Sequence, residues 1–239
     1  MDDALLQFQT LLPTTLRHKP WTARLALRQH DIPARADLFR AGTPPTRVYF
    51  VAKGWVGSSL ELTPKNRPLN ELHMRGDVIG LASLAGEPSV VRATTLSDVE
   101  LISASREAMM ELMETDPALM AFAYRELCRK LANLALMNAV IGRSKAPERL
   151  AVFIYVVLMR ARTTFHQQLD TFNLPLTQDE IGQLLGLTNV SVNRAFRKLE
   201  EDGILSTGRQ SVTVENEAAL AARIDVHNWQ TLLKRIIAH

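Results

Sequence analysis

Cysteine is almost absent from the 239 residues, which contain only Cys128. A single cysteine excludes an internal disulfide and any Cys-rich zinc or iron–sulfur motif. The six histidines show neither HxxxH nor HExxH spacing, so we expect no metal site and no cofactor. We interpret Cys128 as a small apolar residue that is buried in the fold.

Long apolar runs and catalytic signatures are also missing. The longest apolar run, LAVFIYVVLM at 150–159, is too short to cross a bilayer, and the N-terminal MDDALLQF lacks the basic start of a signal peptide. We expect a cytoplasmic protein that has no membrane partner. Without a GxSxG elbow, a phosphate loop or paired metal ligands, an enzyme is the function that the sequence supports least.

The residues that are present suffice for a globular protein. Apolar residues make up 46% of the chain, and the formal charge of +3 permits an anionic partner without requiring one. After two short amphipathic segments within residues 1–30, which we expect to be packing helices, short β-rich runs separated by glycines extend from about Leu38 to Ser103. Their close spacing, without helices between them, predicts an antiparallel sandwich or barrel. We assign residues 1–104 to this domain.

Helical periodicity resumes at residue 105 and continues to about 141. Ser105 is a suitable N-cap, and Pro117 can occupy the first turn of a second, long helix. The apolar positions of that helix alternate in steps of four and three, which is typical of a coiled-coil seam. The seam consists of Met120, Tyr124, Leu127, Leu131, Leu134, Asn138 and Ile141. In a parallel dimer Asn138 faces its own copy and favours one register.

An alternative for the same helix is burial against its own domain. The small-residue stripe of Cys128, Ala132, Ala135 and Ala139 supplies a face for such packing. We expect a dimer seam on one side of the helix and own-domain packing on the other. The GRSKAP segment at 142–147 then breaks the helical pattern, and we interpret it as a hinge.

The third part of the chain, residues 148–239, contains the most informative pattern. In LTQDEIGQLLGLTNVSVNRAFRKLEEDGIL, Thr177 and Glu180 form a capping box at the start of one helix. Gly186 ends that helix, and Thr188 caps a second. Two short helices joined by a tight turn predict a helix-turn-helix. The segment ILSTGRQSVTVEN then predicts two small strands, the wing of a winged helix, and the remaining residues predict a helical C-terminal extension.

The second of these helices has a polar outer side. At about 100° per residue its core side consists of Val192, Phe196 and Leu199, which directs Val190 and Arg194 outward. A helix of this width fits the major groove, where Arg pairs with guanine, Asn with adenine, and an apolar group touches the thymine methyl. The predicted base contacts are Asn189, Val190, Ser191, Asn193 and Arg194. The predicted phosphate contacts, which set register, are Thr188, Arg197, Lys198, Arg209 and Gln210.

The charge of this module argues against strong DNA binding. Between Leu174 and Asn216 there are four basic and six acidic residues, so the basic footprint is weak. We expect the basic groups to gather on the second helix and the wing, whereas the acidic groups mark helix starts or the distal end of the second helix. The alternative is a protein-interaction module whose helix-turn-helix no longer binds DNA.

Taken in chain order, these features resemble the CRP/FNR family of bacterial transcription regulators. The resemblance covers roughly residues 25–216 and rests on LFRAGTPPTRVYFVAKGWV, on GDVIG at 76–80 and on the helix-turn-helix segment quoted above. It implies an α+β fold with an N-terminal cyclic-nucleotide-binding-like antiparallel β-roll (jelly roll), a long dimerisation helix and a C-terminal winged helix-turn-helix. It also implies a homodimer that regulates transcription from a near-palindromic operator in double-stranded DNA, with RNA polymerase as a further partner.

Compared with family members that bind cyclic AMP, the effector pocket of this sequence is degenerate. Leu81 stands in place of the ribose-binding glutamate and Pro88 in place of the phosphate-binding arginine, although Ser89 remains. Leu134 and Ala135 replace the polar pair that meets the base. A phosphodiester buried without an opposing cation costs several kcal/mol, so we expect no control by cyclic AMP. The predicted remnant of the pocket comprises Gly76, Gly80, Leu81, Pro88, Ser89 and Arg92.

Other effectors of the family find little support either. The oxygen-sensing branch carries a cluster of N-terminal cysteines that this sequence lacks. A haem ligand would have to be His73, for which an ordinary strand histidine is the simpler interpretation. Arg92 can offer a cation, but strand alternation alone does not show which way it points. The regulator therefore has either an unidentified small-molecule effector or none.

The second helix of the helix-turn-helix also departs from the family. Val190 stands where many members carry an acidic residue, and Asn189 replaces a common basic one, whereas Arg194 persists. We therefore expect a guanine under Arg194 and carry over no other base of the family's operator.

Overall fold

The computed structural model describes residues 3–13, 16–17, 19–63, 67–165 and 168–224. The chain divides into two compact units, Met1–Cys128 and Arg129–His239. Among the helices of the described segments, none has the length and apolar content needed to cross a membrane.

The first unit is built on two antiparallel sheets. Its described strands are β1 (Arg28–Ile32), β2 (Asp37–Phe39), β3 (Arg47–Lys53), β4 (Val56–Leu60), β5 (Leu69–His73), β6 (Val78–Ile79), β7 (Val91–Thr95) and β8 (Val99–Ser105). They form four-stranded sheets in the orders β1-β8-β3-β6 and β2-β7-β4-β5, which confirms the predicted β-roll. Strand β1 was not predicted, because its residues, RQHDI, are mostly polar and carry no apolar alternation.

Apolar side chains from both sheets meet inside the roll. Val56 of β4 and Ala93 of β7 pack in one cluster with Val51 of β3 and Leu101 of β8. Neighbouring residues in a strand point to opposite faces of its sheet. The residues next to these four therefore point away from the interior of the roll.

Helices cover the outer face of the first sheet. Helix α1 (Asp3–Leu11) places Phe8 edge-on against Phe50 of β3, with ring centroids 4.8 Å apart. A 3-10 helix (Pro20–Leu25) and α2 (Arg106–Thr115) complete this layer, in which Leu25 and Met109 are fully buried. The N-terminal segments are packing elements, as their amphipathic patterns predict.

The long helix predicted from the sequence is α3 (Pro117–Arg143). Its buried apolar residues are Leu119, Phe122, Ala123, Leu136 and Val140. The small-residue stripe does not belong to this buried face, since Cys128, Ala135 and Ala139 are exposed. The predictions that this stripe packs on its own domain and that Cys128 is buried are therefore wrong. Cys128 lies one turn from Tyr124 and Leu131, which places it beside the seam.

The second unit contains the predicted winged helix-turn-helix. Beyond α3 its described elements are α4 (Ala146–Phe165), β9 (Thr171–Asn173), α5 (Gln178–Leu185), α6 (Asn189–Glu201), β10 (Leu205–Thr207), β11 (Ser211–Val214) and α7 (Glu217–Ala222). The three strands form an antiparallel sheet in the order β10-β11-β9, of which the three-residue β9 was not predicted. Helix α7 lies where the C-terminal extension begins, and its Leu220 is fully buried. The rest of the predicted extension, residues 225–239, lies outside the described residues.

The connection between α3 and α4 is short. The sequence predicts a break over residues 142–147, but α3 continues through Arg143 and α4 begins at Ala146, so that Ser144 and Lys145 form the connection. Pro147 lies in the first turn of α4, as predicted, where its missing N–H costs no hydrogen bond.

Arg92 of β7 points out of the roll. Its Nε and Nη2 each donate to the carboxylate of Asp37 in β2 at 2.6 Å, and Thr94 donates to the same carboxylate at 3.1 Å. Burial tends to raise the pKa of Asp37, but the hydrogen bonds from Arg92, Arg40 and Thr94 outweigh it and hold that pKa below its ordinary value. The position of Arg92 next to Ala93, which lies inside the roll, fixes the direction that the sequence left open.

We expect Asp37→Asn to lower the free energy of unfolding at neutral pH by about 1–3 kcal/mol, because it removes a charge-assisted bidentate pair. Since the folded-state pKa of Asp37 is lowered, the wild-type carboxylate contributes its full stability above its ordinary pKa and loses it as the pH falls through the lowered value. Urea unfolding from neutral pH to about pH 3 should therefore show the difference between the two proteins shrinking on acidification. Glu87→Gln, at an exposed carboxylate, is the control. A difference that stays constant on acidification would contradict this role of Asp37.

Candidate nucleic-acid interface

Local hydrogen bonds fix where α5 and α6 begin and end. Thr177 Oγ1 accepts from the backbone N of Glu180 at 3.2 Å, and Glu180 Oε2 accepts from the backbone N of Thr177 at 2.8 Å. Gly186 ends α5 with a φ of 61°. Thr188 Oγ1 then caps α6 by accepting from the backbone N of Ser191 at 3.2 Å. The predicted capping box, turn and second cap are confirmed.

Glycine 182 sets how closely the turn folds back on α5. A Cβ on Gly182 would lie 2.6 Å from the backbone O of Leu187, a distance that real Cβ atoms do not show. The backbone N of Leu187 also donates to the carbonyl of Gly182 at 2.8 Å. The angle between the two helices therefore depends on a residue without a side chain.

Helix α6 has one buried and one exposed side. Val192, Phe196 and Leu199 are buried, whereas Val190 is 61% exposed. Arg194 is exposed on the same outer side as Val190, one turn further along. The orientation predicted from the helical period is confirmed.

Three arginines of the helix and the wing are available to a ligand. Arg194 and Arg197 of α6 and Arg209 of the wing are exposed. Within the described segments, none of the three side chains donates a hydrogen bond to the protein or forms an ion pair. Lys198 differs from them, because its Nζ lies 2.8 Å from Oδ1 of Asp202.

The smaller polar residues at the start of α6 are partly engaged with one another. The hydroxyl oxygens of Thr188 and Ser191 lie 2.9 Å apart. Nδ2 of Asn193 donates to Oε1 of Gln178 in α5 at 3.4 Å, a long hydrogen bond. Asn189 is exposed at the first position of the helix.

A polar groove of about 300 Å³ separates α6 from the wing. Its polar lining includes Gln178, Asn193, Arg197, Thr207, Arg209 and Gln210. The wing tip is closed by the backbone N of Gly208, which donates to the carbonyl of Ser211 at 2.9 Å. Arg197 and Arg209 thus flank one groove from opposite elements, as an extended anion requires.

Most of the acidic side chains of the module are engaged in its own structure. Glu200 Oε1 accepts from Thr207 Oγ1 at 2.6 Å, and Glu215 Oε1 accepts from Ser206 Oγ at 2.7 Å. Asp202 pairs with Lys198 and with Arg223, and the hydrogen bond from Lys198 holds its pKa below the ordinary value. The excess of acids therefore coexists with three exposed arginines on α6 and the wing that form no ion pair among the described residues.

In the first unit, the glycines of the predicted effector pocket are turn residues. Gly76 and Gly80 adopt positive φ angles of 89° and 86°. Leu81 follows in a short 3-10 helix (Leu81–Ala85) and is buried in the apolar cluster that includes Phe8 and Phe50. Leu81 therefore fills a core rather than a polar pocket.

The remaining pocket residues provide no cation to the interior of the roll. Pro88 is exposed, and Ser89 Oγ donates to the carbonyl of Val91 at 2.8 Å. Arg92 is paired with Asp37 on the opposite side of its strand. None of the six predicted pocket residues thus presents a positive charge where the resemblance places a cyclic phosphate.

His73 is buried among partners of its own. Its Nε2 lies 2.7 Å from Oγ of Ser58 and 3.6 Å from Oε2 of Glu71. In the part of the chain that the structure describes, no three His, Cys, Asp or Glu side chains converge as metal ligands would. The contacts of His73 match the simpler interpretation of a structural strand histidine.

Comparison with protein families places a family model on each unit. A cyclic nucleotide-binding domain matches residues 29–116, and a Crp-like helix-turn-helix domain matches residues 148–223. The two matches together cover the β-roll and the winged helix-turn-helix in the order that the sequence predicts.

Individual proteins agree with the two family models. The fumarate and nitrate reduction regulatory protein of Salmonella typhi is 28% identical over 198 residues, which are 82% of this chain and 78% of that protein. The transcriptional activator protein anr of Pseudomonas aeruginosa is 27% identical over 187 residues, covering 77% and 75%. The structure of FixK2 from Bradyrhizobium japonicum shares the fold with a TM-score of 0.75 at 24% identity, covering 85% of this chain and all of that one.

The β-roll, the outward arginines of α6 and the matches to both units have one explanation. The chain belongs to the CRP/FNR family of DNA-binding transcription regulators.

Proposed function

We propose that this regulator acts as a homodimer whose two α6 helices read the half-sites of a near-palindromic operator. In this arrangement the half-sites lie one helical turn of DNA apart, about 34–36 Å. The observation that carries the proposal is the exposure of Arg194, whose side chain has no partner among the described residues.

Dimerisation is supported by the exposed apolar residues of α3. Met120, Tyr124, Leu127, Leu131 and Leu134 are 44–68% exposed in the single chain. They recur in steps of four and three, so a second α3 covers all of them at once. Asn138, which is also exposed, and the half-buried Ile141 continue the seam and complete the predicted dimer interface.

The start of α6 supports sequence readout. Arg194 can donate two hydrogen bonds to a guanine, and Val190 at 61% exposure can contact a thymine methyl. The other proposed base contacts are Asn189, Ser191 and Asn193. Because the long hydrogen bond to Gln178 leaves one amide hydrogen and the carbonyl oxygen of Asn193 free, Asn193 can still pair with an adenine edge.

The proposed phosphate contacts surround the same surface. Arg197, Arg209 and Gln210 line the groove between α6 and the wing, and Thr188 lies at the N-terminus of α6, where backbone amides favour an anion. Lys198 can contribute only by exchanging Asp202 for a phosphate. We therefore assign Lys198 the weakest contribution of the five.

The proposal includes no control by cyclic AMP. With Leu81 in an apolar core and Arg92 turned outward, any effector of the roll must be recognised without a phosphate-binding cation from these positions. The relative from Pseudomonas aeruginosa is a transcriptional activator, which supports RNA polymerase as a further partner of this chain.

We expect Arg194→Ala to weaken binding to the selected operator by about 1–3 kcal/mol and to relax the preference at one base pair of each half-site. The operator is obtained by selecting bound duplexes from a random-sequence pool and sequencing them. Arg197→Ala is the matched control, because loss of a phosphate contact weakens specific and random duplexes alike. If Arg194→Ala loses the same factor of affinity on the operator and on random duplexes, the assignment of Arg194 as a base contact is contradicted. If no sequence is enriched by the wild-type protein, the protein-interaction alternative takes the place of DNA readout.

Titration with cyclic AMP in a calorimeter should give no measurable heat of binding, because none of the six predicted pocket residues offers a cation to the phosphodiester inside the roll. Titration of the same preparation with operator DNA shows that the protein is active. A micromolar isotherm for cyclic AMP would refute the absence of a nucleotide site.

A further inference from the structure

Arg149, in the first turn of α4, connects three carbonyl groups from different parts of the second unit. Its Nε donates to the carbonyl of Ser144 at 2.8 Å. Its Nη1 donates to the carbonyls of Leu185 and Gly186 at 3.1 and 3.2 Å. One side chain thus joins the α3–α4 connection to the turn between α5 and α6.

These acceptors are the carbonyls that helix ends leave without partners. Ser144 directly follows α3, and Leu185 and Gly186 end α5. The last carbonyls of a helix carry partial negative charge and have no acceptor role inside the helix. A guanidinium satisfies two such ends because its planar donors point in different directions, which the single ammonium of a lysine cannot reproduce.

The turn lies directly against the last turn of α3. A Cβ on Gly186 would lie 3.3 Å from Cγ2 of Ile141 and 3.6 Å from Nη1 of Arg149. The end of α3, the two-residue connection and the turn of the helix-turn-helix therefore form one contact cluster. Ile141 is also the last residue of the proposed dimer seam.

We infer that Arg149 is a positioning residue, which fixes the direction of α6 relative to the dimer helix and thereby sets the half-site spacing that the dimer accepts. The inference rests on the proposed function. In this arrangement the segment 142–147, which the sequence suggests as a hinge, is held in one orientation as long as Arg149 keeps its three acceptors. Without them the helix-turn-helix is free to turn about Ser144 and Lys145.

Operators with altered spacing test this role. Insertion or removal of two base pairs between the half-sites rotates one half-site by about 70° relative to the other. The affinities of wild type, Arg149→Lys and Arg149→Ala are measured on the selected operator, on both spacing variants and on a single half-site. Arg143→Ala is the matched control, because it removes an exposed positive charge from the last turn of α3 without touching these carbonyls.

We expect both Arg149 variants to lose roughly fivefold or more of the wild-type preference for the native spacing, which corresponds to about 1 kcal/mol. Their affinity for the single half-site should stay close to that of the wild type, and Arg143→Ala should keep the full spacing preference. A residue that serves only folding would lower binding to every duplex by the same factor. Since the preference is a ratio, it does not depend on the folded fraction, and Arg149→Lys carries the test if Arg149→Ala folds poorly.

An unchanged spacing preference in Arg149→Lys and Arg149→Ala would overturn the inference while leaving the proposed function in place. If the wild-type protein selects no operator, the proposed function itself is contradicted. The two failures are therefore distinguishable in one set of measurements.

Discussion

Five large apolar side chains on α3 remain 44–68% exposed in the single chain, and the function proposed for this regulator depends on covering them. Full burial of such a side chain stabilises by about 1.5–3 kcal/mol. A second copy of α3 that covers these side chains therefore gains much of the burial free energy that the single chain lacks. The seam also sets geometry. In the proposed dimer it places two copies of the second unit about a common axis, so that two α6 helices can meet one near-palindromic operator.

Between the α3 seam and the exposed side of α6, side chains that satisfy helix ends organise the second unit. Thr177 and Thr188 cap the starts of α5 and α6. Arg149 binds the carbonyls that close α5 and follow α3, and it thereby also connects these elements. The charged side chains of this module divide into acids with internal partners and exposed arginines. Glu200 and Asp202 are engaged within the module, whereas the side chains of Arg194, Arg197 and Arg209 are exposed and form no ion pair among the described residues. A module with a net acidic count can therefore present a basic surface.

Much of the fold and of the candidate site could be predicted from the sequence, because it depends on local rules. The capping box at Thr177 and the buried side of α6 follow from residue spacing alone. Tertiary choices could not be predicted. Strand alternation allows Arg92 two directions, and the burial of its neighbour Ala93 inside the roll selects the one in which it pairs with Asp37. Cys128 could lie on either of two apolar faces of α3, and the buried face of Phe122 and Val140 excludes it. Arg149 carries no local signal, since its acceptors Leu185 and Gly186 are distant in sequence.

The most direct test of the seam combines sedimentation equilibrium with operator binding for wild type and two charge substitutions. Leu131→Glu introduces charge into the centre of the seam, whereas Leu62→Glu does so at a residue of the β-roll with similar exposure, 61% against 68%. A dimer seam on α3 predicts that wild type and Leu62→Glu sediment as dimers and bind the full operator, while Leu131→Glu sediments as a monomer that keeps only half-site affinity. A Leu131→Glu protein with wild-type mass and wild-type operator affinity would contradict the dimer seam on which the rest depends.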